Sequence, residues 1–212
     1  MDSNRSQLMM IKNNPTHSYN GSQPPGRIKL ADAMRQLLAT KDFNSITTVE
    51  ISKTAGVNEA LIYRYFGDKR GLLHAVLHQY LEAFLLNVQH DLKGVEGAVN
   101  KLRKLIWSSI CFYKDKTFAK ILLLEVRNHP EYFQSDTYYL IKQYARTVLN
   151  LIEDGIQDGT IRSDIKPTHI RQFVLGGLEH FILPAIIYDT ELNAEELNED
   201  LCKLLFKGFQ KQ

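Results

Sequence analysis

From residue 47 to the end of the chain, apolar residues recur at spacings of three and four, and no convincing run alternates at two. This pattern predicts an all-α fold. Leu72, Leu73, Val76, Leu77, Tyr80, Leu81, Phe84 and Val88 mark a long amphipathic helix over 69–90. Further helices are expected at 96–113, 117–128 and 135–157, the last closed by Asp158 and Gly159. Pro167 suits a first helical position, and Ile170, Phe173, Val174, Gly177, Leu178, Phe181, Ile182 and Ala185 then form an apolar stripe that Pro184 is expected to kink near its end. A final helix over 194–209 carries Leu197, Leu201, Leu204, Leu205 and Gly208 on one side. There is no internal repeat.

The segment 47–69, TTVEISKTAGVNEALIYRYFGDK, predicts two short helices joined by a glycine turn. Thr47 and Glu50 form a capping box at the first helix start, whose core face is Val49, Ile51, Ala55 and then Val57. Gly56 supplies the left-handed residue that ends this helix, and Asn58 caps the next. In the second helix, 59–66, Ile62 and Phe66 face inward and leave Glu59, Ala60, Leu61, Tyr63, Arg64 and Tyr65 outside. A helix-turn-helix places such a helix in the DNA major groove. Tyrosine hydroxyls and the Lys69 ammonium suit phosphates, and Thr48 offers a hydroxyl beside helix N-terminal amides. The alternative is a surface aromatic patch packed under a neighbouring loop.

With Phe43, Thr47 and Thr48, Ile51, Ala55 to Val57, Ile62 and Tyr63, Tyr65 and Phe66, Lys69, Leu72 and Leu73 in this order, the segment 27–73 resembles the N-terminal domain of the tetracycline-repressor (TetR) family of bacterial transcription regulators. The resemblance implies that Thr48, Tyr63, Tyr65 and Lys69 touch DNA phosphates, while Glu59, Ala60, Leu61 and Arg64 face bases or backbone. Val49 stands where some members carry a base-reading arginine, and Leu61 where a small or hydroxylated residue is common, so the operator sequence is not given. It further implies that the last two long helices build a four-helix homodimer interface and that the segment between reader and interface lines an effector cavity. Phe173, Gly176, Gly177, Phe181, Leu201 and Leu205 are the candidate dimerisation residues. An exposed glycine pair would cost about 1 kcal/mol per residue, which close approach of another helix offsets. Packing of these glycines inside one subunit is the alternative.

The segment 95–158 is aromatic and apolar, and most such residues form core. Trp107, Arg127, Tyr144 and His180 are the effector candidates. Arg127 could clamp an anionic head or form an ordinary ion pair; His180 could be a satisfied core histidine. The expected effector is small and hydrophobic with a polar head, an acyl-like molecule being one candidate.

Composition adds limits. The net charge is +2, and its positive balance lies before residue 94. The first 26 residues are rich in Asn, Ser, Pro and Gly and predict a disordered tail; the sharper alternative is an arm using Arg5, Lys12 and Arg27 in the minor groove. No signal peptide is apparent, and no run approaches transmembrane length, so the chain is expected to be cytoplasmic without a membrane partner. Cys111 and Cys202 are expected as reduced, buried thiols. Phosphate-loop, nucleophile-elbow and zinc-binding motifs are absent, and neither enzymatic activity nor a cofactor is expected. His74, His78 and Glu82 share one helix face, which is weak grounds for a metal. The predicted organisation is a tail over 1–26, a three-helix reader over 27–73 and an effector and dimerisation domain over 74–212. The predicted function is a ligand-released repressor that binds a palindromic operator in double-stranded DNA as a homodimer. A helical ligand-binding or interaction protein with degenerate DNA binding is the alternative; it predicts eroded phosphate ligands, whereas Thr48, Tyr63, Tyr65 and Lys69 are all present.

Overall fold

A computed structural model describes residues 23–209. The tail readings that involve Arg5 and Lys12 lie outside the described residues. The described residues form α-helices α1 (Pro25–Leu38), α2 (Thr48–Ala55), α3 (Ala60–Phe66), α4 (Lys69–Asp91), α5 (Ala98–Tyr113), α6 (Lys116–Lys120), α7 (Asp136–Gln157), α8 (Pro167–Ile187) and α9 (Ala194–Phe209). No strand longer than an isolated bridge occurs among them. The all-α reading holds, and α9 matches the expected 194–209. α1 begins at Pro25, with a proline at the start of its first turn, so the expected tail is two residues too long.

α1 and α3 pack on α4, and α2 packs on α1, to form the reader domain. Leu30, Met34, Ile51, Ile62, Leu72 and Leu73 are fully buried there. The core does not stop at residue 73. Val76, Leu77 and Leu81 continue it along α4 to meet α5 and α7, so α4 belongs to both halves. In the C-terminal half α5, α7, α8 and α9 stack around Leu102, Leu105, Ile106, Val148, Ile152 and Ile182.

The expected continuous helix over 117–128 is a correction. α6 ends at Lys120, Ile121–Glu125 form one π-helical turn, and Val126–Asn128 and Pro130–Gln134 are 3₁₀ turns. A wider turn holds one surplus residue in a helix that must keep Leu122 inside and send Glu125 out towards the reader. A second correction concerns membrane length. α8, at 21 residues, is long and apolar enough to cross a membrane by length and composition, but a third of its apolar window is buried within this chain and Glu179 pairs with Arg127.

Candidate functional site

The helix-turn-helix is built by local chemistry. The Thr47 hydroxyl accepts the Glu50 amide at 3.1 Å, and Gly56 ends α2 at φ 63°. Glu50 completes the expected capping box, its carboxylate accepting the Thr47 amide, and it also forms an ion pair with Lys41. Asn58 accepts the Ala60 amide at 2.8 Å, which starts α3. The α3 to α4 turn needs glycine at 71, because a Cβ there would lie 1.9 Å from the Phe66 carbonyl oxygen. α4 then opens with Asp68 accepting the Gly71 amide.

Ala60, Tyr63 and Arg64 are exposed on α3, as the sequence predicts, and Tyr63 is 54% exposed. Glu59 is half-buried and precedes the first helical turn. Leu61 is a correction. Its Cδ1 lies 3.1 Å from where a Cβ on Gly26 would stand, and it packs on the reader core. The half-buried Tyr65 ring lies beside the same glycine. Both are drawn inward because the start of α1 crosses above α3. Val49 is the opposite correction: expected in the core, it is 58% exposed. α2 has eight residues and buries only Ile51 and Ser52, which leaves Val49 on its flank.

Lys69 is more than a surface cation. Its ammonium donates to the carbonyl oxygens of Phe43 at 3.0 Å and Ile46 at 2.7 Å and sits 4.3 Å from the Phe43 ring centroid. Desolvation, then the neighbouring Arg70 charge, lowers its pKa from the ordinary lysine value. Thr48 is half-buried at the first turn of α2.

The C-terminal half holds a cavity of about 20 Å³ between α4, α5, the π turn and α7, with Phe84, Phe112, Leu122, Ile141 and Tyr144 in its wall. That volume is about what one water needs. An acyl chain requires the walls to part. The Tyr144 hydroxyl shares a short hydrogen bond with Ser109, and desolvation raises the pKa of Tyr113 and Tyr144 well above the ordinary tyrosine value. Both phenols therefore stay protonated hydrogen-bonding groups. Of the four effector candidates only Tyr144 lines this cavity. Trp107 is half-buried outside its lining, and His180 is exposed on α8 rather than held in the core. Arg127 makes two hydrogen bonds with Glu179, at 2.8 and 2.7 Å, which occupy its guanidinium fork and raise its pKa.

The segment that closes the cavity also touches the reader. Lys120 pairs with Asp42 at 2.6 Å, Glu125 accepts from Asn44 at 3.4 Å and lies 3.7 Å from Arg70, and the Thr137 hydroxyl donates to the His74 carbonyl at 3.2 Å. None of these links was visible in sequence, because each joins residues far apart in the chain. His74 is half-buried against Tyr132, and among the described residues no three His, Cys, Asp or Glu side chains come together as a metal would require. A broader open groove of about 320 Å³ lies at the start of α5, but the Asp158 carboxylate already accepts the Ala98 amide there.

On α8 and α9 the dimerisation candidates divide. Phe173 and Phe181 are 59% and 44% exposed, and a Cβ on Gly176 would meet nothing within 4 Å. Leu201 and Leu205 are 1% exposed and face Gly177, whose Cβ would lie 3.6 and 3.7 Å from them. Those three residues pack α8 on α9 inside one subunit, which corrects their expected place on the interface. Leu204, 59% exposed, is the outward residue of α9.

Residues 30–76 match the family described as bacterial regulatory proteins, tetR family, and residues 77–208 match the C-terminal region of YsiA-like proteins. The fatty acid metabolism regulator protein of Bacillus subtilis (strain 168) is 22% identical over 189 residues, covering 89% of this chain and 97% of that protein. A nucleoid occlusion factor SlmA from Marinobacter nauticus is 32% identical over 170 residues, 76% of this chain and 85% of its own length. Among solved structures, the transcriptional regulator FadR from Bacillus subtilis in complex with stearoyl-CoA superimposes with a TM-score of 0.77 at 23% identity, covering 85% of this chain and 98% of that one.

Proposed function

Because the chain belongs to the tetR family of bacterial regulatory proteins and is a DNA-binding transcriptional regulator, we propose that it is a homodimeric repressor released from a palindromic operator by an apolar, acyl-like effector. The observation that carries this reading is the position of the π turn, Ile121–Glu125. Leu122 closes the cavity on one side of that turn, while Glu125 and the adjacent Lys120 reach Arg70, Asn44 and Asp42 of the reader on the other. An effector too large for about 20 Å³ must displace the turn, and the reader contacts move with it. The contacts are suited to switching. Lys120 and Asp42 are 56% and 73% exposed, and exposed pairs contribute roughly 0–1 kcal/mol each. The three contacts together contribute at most about 3 kcal/mol, a range that overlaps the roughly 1–3 kcal/mol typical of allosteric coupling.

Thr48, Tyr63, Tyr65 and Lys69 are assigned to phosphates, and Glu59, Ala60 and Arg64 to the groove. A two-fold dimer through Phe173, Gly176, Phe181 and Leu204 would bury the exposed apolar face of α8 and α9 and set two readers on successive major grooves. A regulator of this kind works on the chromosome, in the cytoplasm. The effector assignment draws on the similar FadR structure that holds stearoyl-CoA. The reading is tested by fluorescence anisotropy on a duplex enriched from a random-sequence pool, titrated with stearoyl-CoA and with choline. Release by stearoyl-CoA alone supports it; tight DNA binding indifferent to acyl chains of any length overturns the effector assignment and leaves the DNA reader standing.

A further inference from the structure

We propose that Val49 reads a thymine methyl group in the operator, an inference that rests on the DNA-binding reading above. Hydrophobic spacing puts Val49 in the reader core, yet it is 58% exposed and stands apart from the core cluster, while Ile51 two residues on is fully buried. Other large apolar residues are exposed to a similar degree, Leu86 on α4 and Tyr188 after α8 among them, so what singles out Val49 is its place on the reader. Phe173, Phe181 and Leu204 belong to the face assigned to a second subunit, whereas Val49 and Tyr63 are those on the two helices of the helix-turn-helix.

Val49 follows Thr48 in the first turn of α2, about 100° further round the helix. Glu50, the next position round, is held by Lys41. With Thr48 and the α2 amides on a phosphate, the valine methyls stand at the groove edge, where they can make no hydrogen bond. The thymine C5-methyl is the apolar group that the major groove presents. The α3 surface agrees with this chemistry. Ala60 offers a second exposed methyl, while Leu61 is withdrawn against Gly26.

The test replaces, one at a time, each thymine of the enriched half-site by deoxyuridine, which removes the methyl and leaves every hydrogen-bonding group. At one position per half-site the replacement is expected to weaken wild-type binding about fourfold, the equivalent of ~0.8 kcal/mol for one methyl-sized contact, and to leave Val49→Ala unaffected. Equal losses for both proteins at every position overturn the proposal, as does an enriched half-site without thymine. A melting temperature lowered in Val49→Ala also overturns it, because it would make Val49 a packing residue. Failure to enrich any sequence would instead strike the DNA-binding reading itself.

Discussion

Lys69→Met keeps an unbranched apolar stem and deletes the ammonium, so it separates a brace from a phosphate ligand. In the wild type the ammonium spans from α4 to the carbonyls of Phe43 and Ile46, which flank the turn leading into α2. The Phe43 carbonyl keeps the Ile46 amide as a partner at 3.2 Å. The Ile46 carbonyl is the group left unsatisfied, at about 1–3 kcal/mol, and the lost ring contact adds about 0.5–1 kcal/mol. Against this stands the desolvation that lowers the Lys69 pKa, a cost the variant no longer bears. Partial solvent access also screens the interaction, so the net loss should be about 1–2 kcal/mol. For a protein of this size that corresponds to a fall in Tm of about 2–8 °C. Thermal melting followed by circular dichroism measures it, with the salt dependence of DNA binding recorded well below Tm. An unchanged Tm with a salt slope flattened by about one unit per half-site would refute the brace and leave Lys69 as a phosphate ligand alone.

Two further outcomes are expected. Burial first, then the Arg70 charge, lowers the His74 pKa below its ordinary 6.5, against the weaker opposing pull of Asp68 and Glu131. The unfolded chain therefore takes up this proton first as pH falls below about 6.5, and stability present above that value is lost towards the lower folded-state pKa. His74→Gln should flatten that part of the stability profile; chemical denaturation at stepped pH with the slope unchanged would count against it. Gly176→Leu should yield monomers by sedimentation while each subunit keeps its fold, because in the single chain the new side chain meets open space and helix propensity improves by up to about 1 kcal/mol. Gly177→Ala, whose Cβ makes ordinary contacts with Leu201 and Leu205, should leave the dimer intact. A dimeric Gly176→Leu protein would move the interface elsewhere.

The elements were legible where local chemistry decides them. Thr47, Gly56 and Asn58 set the helix-turn-helix ends through contacts within three residues, and those contacts are present, the Glu50 carboxylate taking both the Thr47 amide and Lys41. The segment 117–128 reads as one helix because ILLLE suits an α or a π turn, whereas the contacts of Glu125 with Asn44 and Arg70 come from residues distant in the chain. The remaining misses share one cause. Val49 is exposed where the core was expected and Leu61 is half-buried where exposure was expected, while Gly176 meets open space and Gly177, about 100° further round α8, meets Leu201 and Leu205. An apolar residue that awaits DNA or a second subunit is spelled like one that fills the core, since periodicity records that a side chain is kept from water without recording by what. The three-dimensional contacts divide the two groups. Leu61, Leu201 and Leu205 find their partners within the chain, and Val49, Phe173 and Leu204 do not. The surfaces assigned to DNA and to the second subunit are built from that second group.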